Sequence, residues 1–295
     1  MEKTDASRNV ASLLAARVTR PRVAVRSSFI VAADEETPPP MTLMLRGGRG
    51  GEVKLKLLLS MLWIAVAAPY DVTQPARVWA ELLGLEDPEK KGAARVNAAV
   101  RRLVEGGFLE VEKRKGHPSR LILREETGTG APYTHPGSHW EPKKGSTNKP
   151  KDAPRYTQIP SELWTTGWMA TLSAPAVAML LILLEQTRGK NFDGLWFSPS
   201  VAAKRYGLNE VTRRKGIDEL ETFGLITVNR IPVGRGSLSA IRRRNTYSVE
   251  MDRFQDHPES TGSRMPIVAT RRRIPRAGSA DTVEEQIRAL GHVKN

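Results

Sequence analysis

Between residues 93 and 105, apolar side chains fall at Val96, Val100, Leu103 and Val104, a spacing that follows the helical period. The pattern predicts a helix that buries one stripe and leaves Arg95, Asn97, Ala98, Arg101 and Arg102 outside. Gly106 and Gly107 come next and supply the left-handed termination that lets the chain turn back. Beyond them the period drops to two. "FLEVEKR" (108–114) and "RLILRE" (120–125) alternate, and "KGHPS" between them carries turn residues, so a β-hairpin is predicted. Upstream lie an apolar helix over residues 57–67 and a short helix in "VWAELLGL" (78–85) that stops at Gly84.

The same succession returns later in the chain. Leu103 and Leu220 stand 117 positions apart, and that offset also pairs Val100 with Ile217, Gly107 with Gly224, Phe108 with Leu225, Leu109 with Ile226 and Val111 with Val228. "VAAKRYGL" (201–208) matches "VWAELLGL", but Gly207 stands 123 positions after Gly84, so the first copy carries six extra residues, within "EDPEKKGA". An apolar helix over residues 174–185 precedes the second copy as residues 57–67 precede the first. Self-similarity on this scale means one supersecondary unit built twice.

Between the copies the pattern lapses. Residues 126–155 are rich in Gly, Pro, Ser, Thr and Lys and nearly free of aliphatics. Such a stretch buries too little apolar surface to offset the entropy of ordering it, and reads as a flexible linker. Residues 1–45 read as a mostly disordered tail, because a short helix from Asp5 is broken at "TRPRVAVRSS" and "DEETPPP" ends the segment. Residues 46–125 and 156–254 are then two domains, followed by a basic C-terminal tail, 255–295, with a short helix over 281–290. The fold class expected is α+β, mainly α with small β-hairpins.

Composition sharpens this picture at three points. The 295 residues include 46 Lys and Arg against 32 Asp and Glu, a formal net charge of +14. That balance points to a polyanionic partner, nucleic acid ahead of an acidic membrane surface or acidic protein. The absence of cysteine excludes disulfides, thiolate zinc sites and Cys nucleophiles, and fits a reducing cytosol. The first residues lack the apolar block of a secretory signal, and the two most apolar runs, 57–68 and 174–184, are shorter than the about 20 residues a membrane span requires. A soluble, cytoplasmic protein with no membrane partner is expected.

The residues "V-x-x-A-V-x-x-L-x-x-x-G-F-L" from Val96 to Leu109 and "I-D-E-L-E-T-F-G-L-I" from Ile217 to Ile226 resemble the winged-helix family of DNA-binding domains. The resemblance implies two winged helix-turn-helix domains in tandem with flexible tails. In that family the helix before the strands enters the major groove and the hairpin, or wing, rests on the backbone or minor groove. It places Arg95, Asn97 and Ala98 nearest the bases, and in the second copy Thr212, Arg214 and Lys215. Arg suits guanine and Asn suits adenine, each through two hydrogen bonds. Arg213 aligns with Val96 of the buried stripe, so pairing inside the fold competes with a DNA contact.

The remaining basic residues are expected on phosphates, fixing register without reading sequence. They are Arg101, Arg102, Lys113, Arg114, Lys115 and Arg120 in the first copy, and Arg230, Arg235, Arg242, Arg243 and Arg244 in the second. No acid occurs from residue 222 to 248, the composition of a phosphate-facing surface.

Enzyme chemistry finds little support in the sequence. His135 and His139 stand four apart in "HPGSH", within a Pro/Gly-rich stretch and without a clear third ligand. "GGRGGEVKLK" is glycine-rich before a helix yet lacks the Gly-Lys-Ser/Thr ending that holds nucleotide phosphates. No nucleophile elbow, paired-histidine nickase pattern or compact carboxylate cluster for two-metal work is present. No catalytic role, cofactor or metal is therefore expected, and Trp164, Trp168 and Trp196 read as core.

The leading expectation is a sequence-specific transcriptional regulator in the cytoplasm, associated with the nucleoid. Its partner would be double-stranded DNA, with a homodimer as a further expectation. A second reading is a replication initiator, since tandem winged helices resemble the plan of several such proteins. "YTQIPSELWTTGWMATLSAPAVAMLLILLEQ" (156–186) also resembles two-domain proteins of actinobacterial plasmids and integrative elements. A third is a non-enzymatic scaffold of a chromosome complex, against which the basic helix starts and wings argue.

Overall fold

The computed structural model describes residues 2–46, 49–138, 155–187, 194–196, 198–233 and 242–259. Four elements precede the first copy of the repeat: α1 (Glu2–Ala15), β1 (Arg22–Arg26), α2 (Ser27–Ile30) and α3 (Pro40–Leu45). The copy itself runs through α4 (Arg49–Ile64), β2 (Asp71–Val72) and α5 (Ala76–Leu82) to a π-helical turn (Pro88–Gly92). It ends with α6 (Ala93–Glu105) and the hairpin of β3 (Leu109–Glu112) and β4 (Arg120–Leu123). β5 (Tyr156–Pro160), α7 (Glu162–Thr165) and α8 (Trp168–Thr171) lead into the second copy. That copy is α9 (Ala174–Thr187), α10 (Pro199–Tyr206), α11 (Glu210–Thr222) and the hairpin of β6 (Ile226–Val233) and β7 (Arg242–Val249), closed by a 3-10 turn (Met251–Gln255).

Helix, helix, helix and hairpin thus occur twice in a mixed α/β fold, with a short strand after the first helix in the first copy. In the first copy β2 joins β4 on the side away from β3, making a three-stranded antiparallel sheet. In the second, Leu195 alone takes that place, bridging Tyr247 through two backbone hydrogen bonds of 3.0 and 2.9 Å.

The glycines punctuate both copies alike. Gly84 and Gly207 follow α5 and the α10 helix at φ 64° and 63°, and Gly107 and Gly224 turn the chain into the strands at φ 74° and 68°. A side chain at any of these positions would strain the backbone. Most of the extra residues of the first copy fall in the five-residue π-helical turn, which runs directly into α6. Asn209 caps α11 instead, its Oδ1 accepting the N–H of Thr212 at 2.8 Å. The buried stripe of α6 is Val96, Ala99 and Leu103, whereas Val104, expected inside, is 39% exposed. Ala99 belongs to the stripe because it lies three residues after Val96 and four before Leu103, whereas Val104 falls about 140° round the helix from Ala99.

Two independent domains were expected; Met1–Thr261, which contains both copies, forms one compact unit. The reason lies in the two central helices. From Leu57 to Met61 every residue of α4 is fully buried, and α9 is buried from Ala176 to Glu185. A helix apolar on all sides must be covered on all sides. Trp63 of α4 stacks on Trp164 of α7 at 5.1 Å and 8°, and the Trp164 indole N–H donates to the Ser60 hydroxyl at 2.9 Å. Against α9, Gly216 of α11 leaves no room for a Cβ, which would collide with the Pro175 carbonyl oxygen.

The N-terminal segment supplies further cover, so the disordered tail expected over 1–45 is corrected. Ala11 and Leu14 of α1 are buried, and the Ser7 hydroxyl donates to the Leu82 carbonyl at 2.6 Å. β1 pairs antiparallel with β5, from Arg22 opposite Pro160 to Arg26 opposite Tyr156. Phe29, Ile30 and Met41 are fully buried.

The expected linker is likewise structured in its first part. Glu126 is fully buried and binds Arg26 twice, from the guanidinium at 2.6 Å and from the backbone N–H at 2.9 Å. Arg26 also donates to the carbonyl and hydroxyl of Thr134 at 2.7 and 3.0 Å. Tyr133 packs edge-on to Tyr70 at 4.9 Å. Polar composition hid this segment because its order comes from a buried ion pair, not from aliphatic burial. Residues 139–154 and the C-terminal tail from 260 onward, including the helix expected over 281–290, lie outside the described residues. Among the described residues, no helix is long and apolar enough to cross a membrane.

Candidate nucleic-acid interface

The start of α6 distributes its basic residues over two faces. Asn97 and Arg101 are exposed on the outer side. Arg95, Ala98 and Arg102, spaced three and four apart, look instead into a cavity of about 540 Å³ that Arg46, Gly50, Gly51, Val53, Lys54 and Ala99 also line. Burial and the repulsion of Arg102 together hold the Lys54 ammonium below the usual lysine range. Deeper in α4, burial also lowers the Lys56 ammonium against the pull of Glu52, its partner at 2.8 Å.

In α11, Arg214 and Lys215 are exposed, with Arg214 lying 3.6 Å from Asp218. Thr212 is half-buried, its N–H held by the Asn209 cap. Arg213 is half-buried too, on the side of Tyr247. Burial raises the Tyr247 phenol above its ordinary value, and the Asn245 hydrogen bond and the Arg213 charge oppose that rise.

The two hairpins differ in how their charge is spent. In the first, Arg120 is drawn into the sheet: its guanidinium meets Asp71 of β2 at 2.6 Å and Glu112 of β3 at 2.9 Å. Arg120, expected on phosphate, therefore ties three strands together through these two carboxylates. The Asp71 carboxyl is held below its usual range, mainly by the hydrogen bond from Arg120. Arg124 pairs with Glu110, and Arg114 lies 3.8 Å from Glu112. Lys113 and Lys115 stay exposed at the tip with no carboxylate partner among the described residues.

In the second hairpin, no acidic residue sits within either strand. The register sets Arg230 opposite Asn245, Pro232 opposite Arg243 and Ile231 opposite Arg244. Because residues directly opposite share a face and alternate ones change it, Arg230 and Arg243 lie on one side and Arg244 on the other. Arg230 and Arg243 are exposed. Arg244 stacks its guanidinium 3.6 Å from the ring centre of Trp196. Trp196 is 46% exposed, so the core position expected of it is corrected, while Trp164 and Trp168 are fully buried. Arg235 and the side chain of Arg242 lie outside the described residues.

Sequence reasoning missed Arg46 and Lys54, which line the same cavity as Arg95 and Arg102. The available signal was their place on either side of the glycine-rich stretch ahead of the apolar helix. His135 serves its own turn, Nδ1 accepting the Gly137 N–H at 3.1 Å, and His139 lies outside the described residues. Among the described residues, no three His, Asp or Glu side chains gather as a metal site would require. Neither a family model nor a curated protein matches this chain.

Proposed function

We propose that the protein binds double-stranded DNA through two winged-helix repeats, with α6 and α11 as the helices that enter the major groove and the two hairpins as wings. The observation that carries the reading is the double occurrence of one layout. Each time, a helix with exposed basic residues leads through a left-handed glycine into a hairpin, and the second hairpin holds Arg230, Arg243 and Arg244 without an acid in its strands. In this reading Asn97 and Arg101, then Arg214 and Lys215, face the bases, while the wing arginines and Lys113 and Lys115 grip phosphates. The biological role we assign is transcriptional regulation.

The shared core favours a second reading, initiation of replication on a mobile element. With Trp63 stacked on Trp164, both reading helices are fixed in one body, so a monomer can hold a repeated, non-palindromic site. Selection of bound duplexes from a random library tests both readings. Iterated motifs support initiation, a single palindrome supports regulation, and no enriched motif removes sequence-specific binding altogether.

A further inference from the structure

The cavity beside α6 holds more positive charge than its surroundings neutralise. Arg46, Lys54, Arg95 and Arg102 all line it, and no carboxylate does. Among the described residues only Arg102 has an acidic partner, Glu105 at 2.9 Å, and both side chains of that pair are well exposed. The like charges are felt, since Arg102 helps to hold the Lys54 ammonium below its usual range. Cations left unpaired on open surface are ordinary, because water solvates each one separately. Four around a single concavity crowd their charges together, and an anion placed among them relieves their mutual repulsion.

The walls are built to keep that space open. A Cβ at Gly51 would meet the carbonyl oxygens of Met44 and Leu45 at 2.6 and 2.7 Å, so α4 starts pressed against the end of α3. Gly50 also lines the cavity, and a Cβ there would meet nothing within 4 Å. Val53 and Ala99 add apolar lining. At about 540 Å³ the space falls within the roughly 300–1,000 Å³ typical of small-ligand pockets.

We infer that this cavity is a binding site for a phosphoryl anion, held by Arg46, Lys54 and Arg95. Guanidinium groups match phosphate oxygens in pairs, and a lysine adds a point charge. The phosphoryl group belongs either to a free phosphate ester or to a DNA backbone. Since Arg95 and Ala98 stand at the start of the helix proposed to read DNA, an occupant here would sit at the edge of that interface. The site itself does not depend on the DNA-binding reading, because it can be titrated without DNA.

Inorganic pyrophosphate titrated calorimetrically into the full chain tests it. One saturable site is expected, weakened at least about tenfold by Lys54→Met and by Arg46→Met, as the loss of a charged hydrogen bond implies. Lys204→Met, at an exposed lysine paired with Glu35 in the other copy, should leave it unchanged. Melting curves of each variant report whether the fold survives, and a rise in the wild-type melting temperature with pyrophosphate gives a readout that needs no variant. Repeating the titration with duplex DNA present separates the sources: competition assigns the site to a backbone phosphate, and independent binding assigns it to a small molecule. Absence of saturable binding, or equal weakening by Lys204→Met, overturns the inference.

Discussion

Replacing Trp164 by Ala should unfold both copies of the repeat together. Its side chain is fully buried, stacked on Trp63, and hydrogen-bonded to Ser60 across the boundary between the two copies. Truncation removes about 200 Å² of buried surface, worth about 5 kcal/mol at ~25 cal/mol per Å². Measured core Trp→Ala losses of about 3–5 kcal/mol agree with that figure. Ser60 adds little to the loss, because its hydroxyl keeps the Lys56 carbonyl as acceptor at 2.8 Å. Ser60→Ala is the reverse case. It leaves the indole N–H unpaired in the core and should cost about 1–3 kcal/mol.

Against a total stability of about 5–15 kcal/mol, the Trp164 loss is large. For a unit of this size it corresponds to a fall in melting temperature of roughly 6–20 °C. Urea unfolding followed by far-UV circular dichroism should show one transition, displaced in the variant. Hydrogen exchange of β3–β4 and of β6–β7 should accelerate by similar factors. Two separate transitions, with the β3–β4 amides as protected as in wild type, would refute the shared core.

Three further outcomes are expected. Changing Arg242, Arg243 and Arg244 together to Ala should weaken binding to preferred and random duplex alike and flatten the log–log salt dependence by about 2–3 units, checked by fluorescence anisotropy across a salt series. Asn97→Ala should leave the melting temperature nearly unchanged, since the residue is exposed, and lose about 1–3 kcal/mol on the preferred site only. Equal loss on random DNA would make α6 a backbone contact. Asp71 titrates below its ordinary value of 3.8 because Arg120 stabilises its charged form. Its contribution to stability is therefore present above that ordinary value and lost as pH falls through the depressed one, so Asp71→Asn should flatten the acid limb of a stability–pH curve below pH 3.8.

What the sequence made legible was local. Helical spacing marked α6 from end to end, and the glycines at 84, 107, 207 and 224 marked stops that need a left-handed backbone. What it hid depends on partners far away along the chain. "RVAVR" alternates as a strand should, but its partner begins at Tyr156, and a lone five-residue strand between Pro21 and a serine pair has no local support. β2 is two residues long and its counterpart is the single bridge at Leu195, too short for periodicity to register.

Charge counting had a related blind spot. Arg120 and Arg230 look alike in sequence, yet the sheet register gives Arg120 two carboxylates, whereas Arg230 faces Asn245. The same is true of the candidate cavity. Arg46 and Lys54 join Arg95 only in the folded chain, about 40 to 50 residues before it in sequence.

The β1–β5 pairing also sets a timetable for synthesis. Arg26 is added to the chain about 130 residues before its partner Tyr156. At about 5–20 residues per second the gap lasts roughly 7–26 s. Throughout it the nascent chain carries an unpaired strand edge and, beside it, an Arg26 whose acid, Glu126, also arrives late. The N-terminal strand therefore waits for its partner until the whole first copy has been made and the segment leading into the second follows.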